Sequence, residues 1–169
     1  LGVESPLQPI LSFPLGANEV TLQDLALLYQ SLATGQVFRD SKSPKNHWSL
    51  IQRIEDTGGR TIYEADHQSR NILDPSVNRA LQEIMRSVVE YGTGRRAKRF
   101  LQTEYAREDG KQVTVQIPAL GKTGTANNYS NATFVGHLPV PTRQGMQTKG
   151  GYTIAVYVGS DRPGEAEAT

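Results

Sequence analysis

The chain has 169 residues, a formal net charge of +1 from 18 Lys and Arg against 17 Asp and Glu, and no cysteine. A disulfide framework, a thiol nucleophile and a thiolate metal site are excluded, and the balanced charge gives no general attraction to nucleic acid or anionic membrane. This length suits one globular core, and no apolar run approaches the roughly 18 residues of a membrane-spanning helix.

In chain order, Leu1-Gly2-Val3-Glu4-Ser5-Pro6 has neither the basic nor the apolar part of a secretory signal, and reads as a chain entered in its middle. Prolines at 6, 9 and 14 predict an irregular packed segment ending in a turn at Pro14-Leu15-Gly16. Thr21 with Asp24 three residues later has the form of a capping box. Leu22, Leu25, Ala26, Leu28, Tyr29, Leu32 and Ala33 then follow helical spacing to a stop at Gly35. Residues 36–46 mix Ser, Lys, Asp and Pro and read as an exposed loop, followed by an extended run with Trp48, Leu50 and Ile54. The turn Asp56-Thr57-Gly58-Gly59 folds that run onto Arg60-Thr61-Ile62-Tyr63-Glu64 as a hairpin.

A second helix opens at Asp74-Pro75 and carries Val77, Leu81, Ile84, Met85, Val88 and Val89 up to Gly92. Arg95, Arg96, Lys98 and Arg99 read as a solvated basic loop at its end. Two extended pieces flank Glu108-Asp109-Gly110, the later alternating through Val113, Val115 and Ile117. Three further strands are predicted at Leu120–Thr125, residues 132–138 and residues 152–158, with residues 139–151 as a loop. The tail from Arg162 is polar and rich in small residues, and is expected to fray or to lack its continuation. The fold class is α+β: one antiparallel sheet flanked by the two helices.

Gly121-Lys122-Thr123 invites a phosphate-loop interpretation, but that pattern requires glycine where Gln116 stands and a helix where turn residues follow. As an extended strand, Lys122-Thr123-Gly124-Thr125 offers a positive charge, two hydroxyls suited to a carboxylate, and a glycine past which a substrate backbone can lie. Such an edge holds a peptide by strand addition, and the Thr125 N–H would serve as one oxyanion donor, a contribution of around 3 kcal/mol. Taken alone, four residues carry little information, and a chance tetrapeptide in a turn is the preferred reading.

Neighbouring blocks alter that balance. Pro14-Leu15-Gly16-Ala17-Asn18-Glu19-Val20-Thr21 with Leu25-Ala26, Val89-Glu90-Tyr91-Gly92-Thr93-Gly94, Gly121-Lys122-Thr123-Gly124-Thr125, Asn131-Ala132-Thr133-Phe134-Val135-Gly136 and Ala155-Val156-Tyr157-Val158-Gly159 follow one another across nearly the whole chain. In that order they resemble the later half of the transpeptidase domain of class A penicillin-binding proteins, the bifunctional enzymes that polymerise and cross-link peptidoglycan. The resemblance implies a penicillin-binding protein/serine β-lactamase-like fold, with residues 1–169 as the C-terminal part of the domain. It gives Lys122 a role in the proton network and charge of the site. Thr123 and Thr125 would bind the terminal carboxylate of a stem peptide or a β-lactam, with Gly124 between them, and the Thr125 N–H would help form the oxyanion hole. The reaction implied is serine acyl transfer from D-alanyl-D-alanine to a neighbouring amine, with no cofactor, on the extracytoplasmic face of the bacterial cytoplasmic membrane.

That chemistry also needs Ser-x-x-Lys and Ser-x-Asn groups. No serine here has lysine three residues on, so the nucleophile is expected upstream of Leu1 and the isolated chain is expected to be inactive. Ser69-Arg70-Asn71 and Ser76-Val77-Asn78 match the second pattern but follow the blocks that should come after it, and read as coincidences of surface and capping. His47, His67 and His137 lack metal-ligand spacing. Asn127, Asn128 and Asn131 either shape the turn after the Lys-Thr-Gly strand or line the acceptor side of a cleft. Expected partners are stem peptide, β-lactams and the remainder of the same domain, without nucleic acid; a sheet surface left open would also favour oligomers. A D,D-carboxypeptidase, a β-lactamase and a non-catalytic cell-wall-peptide module remain alternatives.

Overall fold

The computed structural model describes residues 2–42, 51–106, 110–125, 131–142 and 145–159. A short 3-10 turn, Phe13–Leu15, is closed by Gly16 at φ 86°, where a side chain would be strained. Helix α1, Leu22–Thr34, starts where the Thr21 hydroxyl accepts the Asp24 N–H at 3.0 Å. The other half of the expected capping box is rerouted. The Asp24 carboxylate accepts the Glu4 N–H at 3.1 Å, the Ser5 N–H at 3.0 Å and the Ser5 hydroxyl, while Ser5 Oγ accepts the Thr21 N–H at 3.2 Å. Ser5 thus relays the cap and ties the opening segment to the helix. Burial pushes the Asp24 carboxyl up, but the hydrogen bonds from Ser5, Glu4 and Thr21 outweigh it and hold it below its ordinary value.

Gly35, at φ 74°, ends α1 and donates its N–H to the Ser31 carbonyl at 2.8 Å. The chain then enters strand β1, Gln36–Asp40, which corrects the reading of residues 36–46 as an exposed loop. β1 pairs antiparallel with β4, His67–Asn71, and Val37 and Asp40 are buried. The polar composition misled because Asp40 is satisfied inside: it accepts the Tyr63 hydroxyl at 2.5 Å, the Lys42 N–H at 3.0 Å and the Asp66 N–H at 3.1 Å. Residues 43–50, including His47, Trp48 and Leu50, lie outside the described residues. The predicted hairpin is present as β2, Arg53–Glu55, and β3, Thr61–Glu64. Its turn is held by the Asp56 carboxylate, which accepts the N–H groups of Gly58 at 3.0 Å and Arg60 at 2.8 Å.

Helix α2, Pro75–Glu90, begins where the Asp74 carboxylate accepts the Ser76 N–H at 2.8 Å. Of its expected apolar stripe, Met85 and Val89 are buried while Val77 and Ile84 are exposed. Met85 joins Ala33 and Leu120 in a core cluster flanked by Tyr29, Leu32 and Leu81. Two amides clasp the helices together: Asn78 Nδ2 donates to the Leu32 carbonyl and Gln82 Nε2 to the Ala33 carbonyl, both at 2.6 Å. The basic stretch is a 3-10 helix, Arg95–Phe100, instead of a plain loop, and its Lys98 pairs with Glu90. Strands β5, Gln102–Ala106, and β6, Gln112–Gln116, form a hairpin where two extended pieces were expected.

The last three strands are β7, Leu120–Thr125; β8, Asn131–Thr142; and β9, Gly145–Gly159, antiparallel in the order β7-β8-β9. β8 and β9 run past their predicted ends, and residues 139–142 and 145–151 continue the ribbon, with Val140 paired to Gln147 and Thr142 to Gly145. The prolines are tolerated because β7 stops at the Leu120–His137 pair, so beyond it one side of β8 needs no ladder donors. Pro139 also sits at the register shift between Leu138 and Val140, where pairing is already interrupted. α1 packs on β8 and β9, and α2 packs on β7.

Candidate active site

β7 has the predicted bounds, and its position follows from its two ends. Leu120 is buried in the helix-facing core cluster, whereas Lys122, Gly124 and Thr125 are exposed. With β8 on one side and no strand on the other among the described residues, β7 is an edge strand. Direct cross-strand partners share a face of an antiparallel sheet. Thr123 pairs with Phe134 and Thr125 with Ala132, which puts both hydroxyls on the face of Val156 and Val158. Leu120 and Lys122 lie on the opposite face with His137 and Val135.

The two glycines of the motif do different jobs. A Cβ at Gly121 would stand 2.8 Å from the Phe134 ring and 3.0 Å from the Val135 carbonyl, and one at Gly136 would stand 2.8 Å from the same ring. Phe134 thus lies across the paired glycines Gly121 and Gly136, and a side chain at either would displace it. At Gly124 a Cβ would meet only the Thr133 side chain, at an ordinary 3.5 Å from its Cβ and 3.9 Å from its hydroxyl oxygen. Nothing within the described chain demands glycine there.

The motif side chains are not drawn into one cluster. Lys122 Nζ donates to the Thr123 carbonyl at 2.6 Å, on its own strand. The Thr123 hydroxyl meets the Thr93 hydroxyl at 2.5 Å. In the sequence Thr93 reads only as part of a helix end, and a small hydroxyl residue between two glycines is its one local signal.

The decoys are consumed elsewhere. The Ser76 hydroxyl donates to Asp74 at 2.5 Å and Asn78 clasps α1, while Ser69 and Asn71 lie on β4 opposite Phe38 and Gln36. His137 is buried, its Nε2 2.9 Å from the Thr148 carbonyl and its Nδ1 2.8 Å from the Thr153 hydroxyl. A carbonyl only accepts, so Nε2 carries the proton and Nδ1 faces the hydroxyl. Burial pushes the His137 pKa down against the Thr148 carbonyl, which favours the imidazolium. This imidazole staples β8 to β9. Asn127 and Asn128 lie outside the described residues; Asn131 Oδ1 accepts the Tyr157 hydroxyl at 2.8 Å, a contact within the sheet.

No protein-family model matches the chain. Its similarity to curated proteins is extended. Penicillin-binding protein 1A of Neisseria gonorrhoeae is 30% identical over 164 residues, covering 94% of this chain. Penicillin-binding protein 1A of Rickettsia typhi is 29% identical over 178 aligned residues, 97% of the chain. Penicillin-binding protein 4 of Bacillus subtilis (strain 168) is 30% identical over 117 residues, 69% of the chain. The chain spans only 15% to 20% of the length of these relatives.

Proposed function

We propose, from the premise that this chain belongs to the penicillin-binding proteins, that it is the C-terminal part of a transpeptidase domain and supplies the strand on which a peptidoglycan stem peptide or a β-lactam is held for serine acyl transfer. The observation that carries this reading is the edge position of β7, with Lys122, Gly124 and Thr125 exposed along it and space left open at Gly124. An extended donor peptide adds to such an edge through backbone hydrogen bonds. Its terminal carboxylate meets the Thr123 and Thr125 hydroxyls, and the Lys122 ammonium raises the local positive potential. The Thr125 N–H is one donor to the oxyanion formed when serine attacks the carbonyl. Serine, its lysine base and the Ser-x-Asn group come from the rest of the domain, so this segment acts only together with it. The assembled enzyme works in the bacterial cell envelope, on the extracytoplasmic face of the membrane.

The sheet supports the same conclusion from packing. Along β9 the larger apolar side chains, Tyr152, Ile154, Val156 and Val158, point away from the helices and are exposed, while Thr153 and Ala155 face inward. A sheet face of that composition is made to be covered. The remainder of the domain is its partner, and without it the face would favour self-association.

Covalent labelling by a fluorescent penicillin tests the proposal. The full-length protein should label, and Lys122→Ala should slow labelling by at least about 100-fold, the scale of losing one electrostatic stabiliser of an acyl-transfer site. The 169-residue chain alone should remain unlabelled. A full-length protein that never labels overturns the function, and a labelled isolated chain overturns the placement of the nucleophile.

A further inference from the structure

The hydroxyl pair between β7 and the end of α2 involves a residue to which the site as described gives no role. Thr93 Oγ1 lies 2.5 Å from Thr123 Oγ1, a contact joining residues 30 positions apart. The backbone around Thr93 is closely constrained. The Gly92 N–H donates to the Ser87 carbonyl and the Gly94 N–H to the Val88 carbonyl, both at 3.0 Å, which wraps the chain back onto the last turn of α2. A Cβ at Gly92 would stand 2.9 Å from Val88 Cα and 2.9 Å from its carbonyl oxygen, and one at Gly94 would stand 3.2 Å from that oxygen. Two glycines therefore allow a turn that no bulkier pair fits, and between them an exposed threonine reaches the strand.

We infer that Thr93 is a positioning residue for the anion site: its hydroxyl donates to Thr123 Oγ1 and so turns the single Thr123 hydroxyl proton toward the carboxylate of the bound ligand. The inference rests on the proposed role of Thr123. A hydroxyl has one proton and two acceptor lone pairs. Left alone, Thr123 can rotate its proton toward water or a neighbouring carbonyl. With a lone pair occupied by Thr93, its proton is free for the ligand, and the two bonds polarise each other in series. Thr93 acts through Thr123, without itself touching the reacting atoms.

The test uses the full-length protein and one β-lactam in two forms, the free carboxylate and its methyl ester, with the second-order acylation rate of each as readout. Thr93→Val keeps the shape and removes the hydroxyl. It should lower the acid-to-ester rate ratio about tenfold, the size of one hydrogen bond to a charged partner. Thr93→Ser should restore the ratio to within about threefold, and in a Thr123→Val background Thr93→Val should change it by less than about twofold, as coupled residues require. Equal slowing with both forms, an unchanged ratio, or full additivity with Thr123→Val overturns the inference. A wild-type protein acylated by neither form overturns the underlying function instead.

Discussion

One face of the β7-β8-β9 sheet carries Leu120, Val135 and His137 against α1 and α2 and is buried. The other carries Thr123, Thr125 and the row Tyr152, Ile154, Val156 and Val158, the last four between 43% and 69% exposed. The buried part of the helix-facing side fixes where the motif strand lies, and Lys122 stands on that same side farther along the strand, where it is exposed. The open face and the adjoining edge hold the groups that can meet a ligand, together with apolar area that this segment leaves uncovered. Position and exposed polar chemistry are thus assigned to different parts of the same strand, and substitutions in the two should differ in kind.

The largest effect is expected at Leu120. Replacing it with alanine removes the strand's anchor between Ala33 and Met85 and should cost about 2–5 kcal/mol in chemical denaturation; a loss below about 1 kcal/mol would mean that the helices do not hold β7. Gly121→Ala comes next. It pushes on the Phe134 ring and should cost about 1–3 kcal/mol. Gly124→Ala, with an ordinary contact in its place, should leave stability nearly unchanged and weaken penicillin labelling; equal destabilisation by the two would remove the distinction between a glycine needed for packing and one needed for a ligand. The smallest effect belongs to the open face, where Val156→Thr should change the stability of the isolated chain, at dilutions where it is a monomer, by no more than about 0.5 kcal/mol. A larger loss, with sedimentation showing a dimer, would mean that the face is already covered by a second copy.

Much of this architecture was legible in the residues because the signals were local. Thr21 and Asp74 cap as their positions suggest, Gly35 closes α1 in the left-handed conformation, and Leu120–Thr125 has the predicted bounds. The failures share a cause. β1 reads as a loop from its own polar residues, because Tyr63 and Asp66, which satisfy Asp40, lie more than twenty residues away. The β8-β9 ribbon was cut short by its prolines, since composition does not reveal where a neighbouring strand ends. In β9, Tyr152, Ile154, Val156 and Val158 are the exposed set and Thr153 and Ala155 the more buried one, so hydrophobicity alone would turn the wrong face inward.

The sequence by itself determined the helix boundaries, the motif strand and its family likeness, because caps, glycine stops and ordered blocks are written in neighbouring residues. Only the tertiary structure decided that β7 is an edge, that Gly121 serves Phe134 while Gly124 stands open, and that Thr93 meets Thr123. Each of those depends on chain segments distant in sequence, brought together by packing that no local pattern encodes.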